Sequence, residues 1–508
     1  MHTNKKSERT SSMRTSGILL PVFSLPSPYG IGCFSDEARK FIDFLCDSGQ
    51  SYWQILPLGP TTYGDSPYQS PSAFAGNPYF IDIDTLCKEG LLTSEECESY
   101  KDKCPKGDKI DYGFLYRTRH TILRKAFDRF APDENYLLFE ESEKYWLGEY
   151  CEFAAVKEYF GGRDMREWDE EYRSPHTSQS RKLAEQLIAS INYHKFLQYE
   201  FMKQWCSIKN YANSKGIRII GDMPIYTAMD SVELRCKPEL FLTDREGVPA
   251  FVAGCPPDSF SPDGQLWGSP IYDWYYQRRT GFDWWIKRMN RNAELFDMVR
   301  IDHFRGLESY YAIPYESKNA KNGKWYPGPG AELFDALQKG CPNLNIIAED
   351  LGFITDDVKE LLSRVGCPGM KVVQFAFDSM DNDYMPHNYI QNSVVYTGTH
   401  DNPTCMGWAK SVSQDELKLA SEYMGIDKNK IEDICRGFIR LAMSSVSDMC
   451  ILPIQDILML GDETRINVPS TLGGNWCWRL NKDYTKCGNE LKRLTAIYGR
   501  DNKKGKGK

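Results

Sequence analysis

Three short apolar runs each end on an acid: MVRIDHFRG (298–306, with Asp302), NIIAEDLG (345–352, with Glu349) and VVYTGTHDN (394–402, with Asp401). A strand that passes through apolar residues and stops on a carboxylate carries a charge to the rim of a sheet. In (β/α)8 barrels the active site is built at the C-terminal ends of the strands. The three acids lie 47 and 52 residues apart, a spacing that suits one barrel rim carrying one acid-driven site.

Eight runs of this kind can be read along the chain. They are GILLPVF (17–23), YWQILPL (52–58), IRIIGDMPIY (217–226), DMVRIDHF (297–304), NIIAEDL (345–351), GMKVVQFAF (369–377), SVVYTGTHD (393–401) and CILPIQDIL (450–458). Near-continuous apolar runs are expected of parallel strands covered on both faces. Helical patterns lie between several of them, as in SDEARKFIDFLCDSG (35–49), AELFDALQKG (331–340) and TDDVKELLSRVG (355–366). In the first, Ser35 is the expected N-cap and Gly49 the residue beyond the C-cap. The fold class expected is therefore α/β, a (β/α)8 barrel.

The runs are unevenly spaced. About 160 residues separate the second from the third, and 70 separate the third from the fourth. Both gaps far exceed ordinary βα loops and are expected to fold as insertions above the rim. The chain 1–508 is thus read as one catalytic barrel, with an insertion subdomain at 60–215 and a second insertion with a substrate-binding loop at 227–296. The first contains helical stretches around 114–130 and 181–212; the second is rich in Pro, Gly, Trp and Tyr.

Composition narrows the class. The net charge of −8 is spread along 508 residues, which argues against a nucleic-acid partner. Only the tail KKGKGK (503–508) is densely basic, and it is expected to be disordered. Sixteen cysteines are scattered singly, without a CxxC pair or a Cys/His cluster of metal-ligand spacing. The first residues lack an apolar leader, and no run of about 18 apolar residues is present to span a membrane. A cytoplasmic protein with reduced thiols is expected. The 12 Trp, 30 Tyr and 25 Phe form an aromatic load that flat sugar faces would use, as would a large core.

Cleaving an acetal needs a proton for the leaving oxygen and a carboxylate able to attack or stabilise an oxocarbenium-like centre. Two acids in different environments can divide those roles. Arg300 lies two residues before Asp302, hence on the same strand face, where its guanidinium would keep the aspartate ionised. Glu349 follows IIA, an apolar approach that would keep its carboxyl protonated. His400 and Asp401 close the seventh run and could grip sugar hydroxyls. A single strand-end acid is as often a helix cap or an ion-pair partner; three on neighbouring strands, two with an adjacent histidine, favour catalysis.

These residues resemble a known family. RIDHFRG, IIAEDLG and TGTHDN look like the three catalytic motifs of the 4-α-glucanotransferases (amylomaltases or disproportionating enzymes, glycoside hydrolase family 77), relatives of the α-amylases. The likeness extends from PSPYGIG (26–32) and LPLGPTTYGDSPYQSPSAFAGNPYFIDID (56–84) through GDMPIY (221–226), PPDSFSPDGQLWGSPIYDW (256–274), PHNY (386–389) and RINVPST (465–471) to GNWCWR (474–479). Ser470 stands where the family pattern has glycine.

The resemblance implies a nucleophile at Asp302, a general acid/base at Glu349 and a transition-state contact at Asp401. It implies substrate contacts at Arg300, His303, His400, Asp222, Tyr63, Gln265 and Trp267. For Asp222 and Gln265 a purely structural role weighs about equally, and His120, His176, His194 and His387 are expected to be structural or exposed. The activity implied is retaining transfer of an α-1,4-glucan segment to the 4-hydroxyl of another glucan or of glucose, drawing on maltodextrins, starch or glycogen-type chains. A retaining pair should hold its carboxyl groups about 5 to 5.5 Å apart. No cofactor and no metal are expected. The rival readings are an α-1,4-glucan hydrolase with the same acids and a glucan-binding scaffold, which would have lost one of them.

Overall fold

The computed structural model of the 508-residue chain describes residues 14–62, 64–244, 247–257, 261–352 and 354–501. Its first strands are β1 (Thr15–Leu19), β2 (Tyr52–Gln54), β3 (Arg218–Met223), β4 (Phe251–Cys255), β5 (Gln265–Pro270) and β6 (Met298–Ile301). There follow β7 (Ser309–Pro314), β8 (Lys324–Pro327), β9 (Ile346–Ala348), β10 (Gly369–Val372), β11 (Ser393–Tyr396) and β12 (Met449–Pro453). Eight of these close into a parallel barrel in the order β1–β2–β3–β6–β9–β10–β11–β12, the last pairing with β1. Each of the eight apolar runs overlaps one barrel strand; β1 and β12 begin two residues and one residue before theirs.

The strands are shorter than the runs. The run 369–377 leaves the ladder after Val372 into a 3-10 turn at Val373–Phe375, and the run 450–458 turns helical at Ile454–Ile457. Inside the barrel, Leu19, Tyr52, Ile220, Ile347, Val372, Val394, Tyr396 and Ile451 form a small core of their own. The outer faces of the strands join a much larger core under the helices. Burial on both faces explains why the runs carry no polar alternation.

Helix ends follow the local sequence. Ser35 caps the helix Asp36–Asp47 by accepting the Glu37 N–H at 3.3 Å, and Gly49 beyond it has φ +77°. Gly366, φ +73°, closes the helix Asp356–Val365. Left-handed backbone of this kind favours glycine.

The long gap after β2 is helical from Pro78 onward apart from its connecting loops, and ends in the 27-residue helix Ile188–Ser214, which leads into β3. The gap after β3 holds β4 and β5 and the helices Trp274–Arg279 and Asp283–Leu295. Here the structure departs from expectation. β4 and β5 belong to a four-stranded antiparallel sheet, β5–β4–β7–β8, whose other half lies after β6. Residues 227–296 therefore do not close a unit by themselves; the hairpin 309–327 completes it. Among the described residues no helix is long and apolar enough to cross a membrane.

Candidate active site

The site begins where β3 and β6 lie side by side, with Asp222 in register with Arg300. The Arg300 guanidinium donates to both oxygens of Asp222 at 2.8 Å and to Asp302 Oδ1 at 3.1 Å. The Tyr68 hydroxyl donates to Asp222 Oδ2 at 2.7 Å. Asp222 has no solvent-exposed side-chain surface, whereas Asp302 keeps 28 % of its own open to the cleft. Asp222 thus stands behind Arg300 and Tyr68 and holds them, the structural alternative for this residue.

The surroundings of Asp302 pull its carboxyl in both directions. Burial pushes its carboxyl well above the usual carboxylate range; Arg300 opposes this, and Asp222, Glu349 and Asp401 add to it. Arg300 favours the ionised form of Asp302 while giving its two shortest hydrogen bonds to Asp222. Glu349 is raised as well, first by burial, as its apolar approach suggested. Two interacting carboxyls of this kind titrate as a pair, and the pair retains a proton above the ordinary carboxylate range.

Glu349 follows the last residue of β9 and is held on two sides. Its Oε2 accepts the backbone N–H of His303 at 2.6 Å and its Oε1 that of Leu351 at 3.0 Å. His303 adopts φ +52°, a left-handed conformation uncommon outside glycine. That turn aims its N–H at Glu349 while its ring meets Trp267 edge to face, centroids 4.7 Å apart. Burial and Arg305 pull the His303 imidazole down to about 4, so it is neutral, and its Nε2 is buried without a hydrogen-bond partner.

Asp401 does not end its strand. β11 stops at Tyr396, and Thr397–His400 intervene; the Thr397 hydroxyl donates to Asp456 Oδ2 at 2.6 Å. The Asp401 carboxylate accepts the Asn467 amide at 2.6 Å and lies 3.4 Å from His400 Nε2. His400 is buried and pulled down, first by that burial. Its ring stacks on Tyr68 with centroids 5.2 Å apart and planes 11° apart, and Trp476 leans on both rings.

Gln265 and Trp267 come from β5. The Trp267 indole N–H donates to Gln265 Oε1 at 3.0 Å, and its carbonyl accepts the Gln69 amide at 3.2 Å. Trp267 therefore reaches the acids through His303, while Gln265 acts by fixing Trp267. Tyr63 lies outside the described residues. The remaining histidines sit elsewhere: His120 faces the Tyr193 hydroxyl, His194 faces Glu158, His387 faces the Tyr423 hydroxyl, and His176 is exposed.

Sequence reasoning missed Tyr68, Asn467 and Trp476. Tyr68 sits in SPYQSP, where its Pro and Ser neighbours mark a loop residue rather than a core one. The cysteines hold another surprise: Cys405, Cys435 and Asp456, far apart in sequence, bring donor atoms within 4.8 Å of one another. Asp456 already accepts the Cys405 N–H at 2.7 Å and the Thr397 hydroxyl, so it anchors the segment that carries Asp401.

With the geometry in hand, the chain can be set beside known proteins. Residues 20–485 match the family model described as 4-alpha-glucanotransferase, glycoside hydrolase family 77. The 4-alpha-glucanotransferase of Clostridium butyricum is 46 % identical over 94 % of this chain and 99 % of its own. That of Streptococcus pneumoniae is 46 % identical over 96 % of this chain and 98 % of its own. The amylomaltase of Streptococcus agalactiae, solved with acarbose, superposes with a TM-score of 0.93 at 41 % identity, covering 96 % of this chain and all of that one. These matches favour transfer over hydrolysis, and the chain belongs to the 4-α-glucanotransferases of glycoside hydrolase family 77.

Proposed function

We propose that the enzyme transfers segments of α-1,4-glucans, such as maltodextrins, starch or glycogen-type chains, by double displacement through a glucosyl ester on Asp302. Asp302 attacks the anomeric carbon while Glu349 gives its proton to the departing 4-oxygen. Glu349, now a base, takes the proton from the 4-hydroxyl of an acceptor glucan or glucose, which attacks the ester with net retention. Asp401 and His400 hold the distorted sugar, and Tyr68 backs the His400 ring. The peptide unit that joins Asp302 to Glu349 supports this reading best: the His303 N–H donates to the Glu349 carboxyl at 2.6 Å, which sets a second acid, raised by burial, beside the first.

Transfer requires that a sugar, not water, reach the ester. Trp267 beside His303, and Trp476 beside His400, put aromatic surface next to the acids, of a kind suited to a sugar face. Incubation with maltotriose tests the reading: glucose together with a ladder of longer maltodextrins is the expected outcome, and reducing ends rising without lengthening would mean hydrolysis. A cytoplasmic setting fits sixteen scattered cysteines expected to be reduced.

A further inference from the structure

Asp350 follows Glu349 and touches no substrate in the mechanism above, yet its surroundings are built around it. β9 has three residues and pairs with β10 only through Ala348 and Gly369. On the other side Glu349 is fixed to the β6 segment by two backbone hydrogen bonds, its N–H to Ile301 O at 3.0 Å and its carbonyl from Phe304 N–H at 3.1 Å. On the β10 side the ladder stops one residue short. There the Asp350 carboxylate accepts the Met370 N–H at 2.6 Å in place of a backbone carbonyl. A Cβ at position 369 would overlap that carboxylate, so glycine is what leaves room for it.

We infer that Asp350 is a positioning residue for Glu349, clamping the end of β9 to β10 so that the acid/base carboxyl faces the scissile bond. The clamp acts at short range. Asp350 stands between Glu349 and Leu351, whose N–H donates to Glu349 Oε1 at 3.0 Å. Releasing Asp350 frees that donor and the peptide carrying Glu349 together. Misplacing a catalytic group by about 1 Å can cost about 100-fold in rate.

The inference rests on Glu349 being the acid/base, and the test separates the two claims. Asp350→Ala, Asp350→Asn, Gly369→Ala and Glu349→Ala are compared on two reactions. Maltotriose has a leaving sugar that needs a proton. In α-maltotriosyl fluoride with azide, fluoride leaves with the bonding electrons as the Asp302 ester forms, and azide then displaces Asp302, so neither a proton nor a base is needed.

Asp350→Ala and Gly369→Ala should lose about 10- to 100-fold in kcat on maltotriose, with KM within about twofold, and less than about threefold with fluoride and azide. Asp350→Asn keeps an oxygen for the Met370 N–H and should stay within about threefold of the parent on both. Equal losses on both reactions, or an Asp350→Asn variant as impaired as Asp350→Ala, would overturn the inference. If Asp350→Ala does not fold, Gly369→Ala and Asp350→Asn carry the same comparison. Failure of fluoride and azide to rescue Glu349→Ala would instead overturn the acid/base assignment.

Discussion

The N–H of His303 donates to the Glu349 carboxyl at 2.6 Å, and His303 is the residue directly after Asp302. The proposed nucleophile and the proposed acid/base are therefore joined by one peptide unit and one hydrogen bond. The left-handed turn at His303 makes this link possible, and the Arg300–Asp222 pair holds it from behind.

Removing the nucleophile while keeping its shape should stop turnover and spare binding. Asp302→Asn retains an oxygen for Arg300 and is expected to lose about 10⁴-fold or more in kcat. Calorimetric titration with a maltodextrin should still show binding. Persisting turnover would contradict the nucleophile role.

The raised carboxyls carry a stability cost at high pH, with a definite sign. A carboxyl raised in the folded state contributes stability below its unfolded value near 4 and loses it as pH rises through the folded value. Glu349→Gln removes the proton-holding carboxyl of the pair, so its melting temperature should gain on the parent's as pH rises above about 4. A difference that stays flat, or runs the other way, would place Glu349 ionised throughout.

Asp222 is the counter-ion that Arg300 cannot lose. Asp222→Ala leaves a buried guanidinium with only the partly exposed Asp302, and breaking a buried pair costs about 3–5 kcal/mol. Denaturant unfolding should show a loss of that order. Tyr68→Phe, which removes only the hydroxyl donor, should cost about 1 kcal/mol.

Ser470 has φ +63° in an exposed turn. This is left-handed backbone that glycine favours, at a cost of about 1 kcal/mol for an L residue. Ser470→Gly should stabilise the protein by about 0.5 kcal/mol once the extra chain entropy of glycine is counted. Unchanged or lower thermal stability would count against strain at this turn.

The barrel was legible because its strands are covered on both faces, which writes near-continuous apolar runs into the sequence. Asp302 and Glu349 were legible because each follows the last strand residue directly. The antiparallel sheet escaped notice because its two halves lie on either side of β6 in the chain, and β8 is exposed along its length. Asp222 looked like Asp302, an acid at a strand end, and only register with Arg300 separates holder from attacker. Tyr68, Asn467 and Trp476 reach the site across contacts no local pattern encodes. The Cys405–Cys435–Asp456 grouping likewise appears only once its segments pack together.

The covalent ester on Asp302 is the central claim, and trapping it is the most direct measurement. Glu349→Gln, incubated with α-maltotriosyl fluoride, should accumulate the glycosyl-enzyme because the leaving group needs no proton and the base for the second step is gone. Mass spectrometry of the digested protein should find one maltotriosyl unit on the peptide containing Asp302. A label on another residue, or fluoride release with no label at all, would contradict the account.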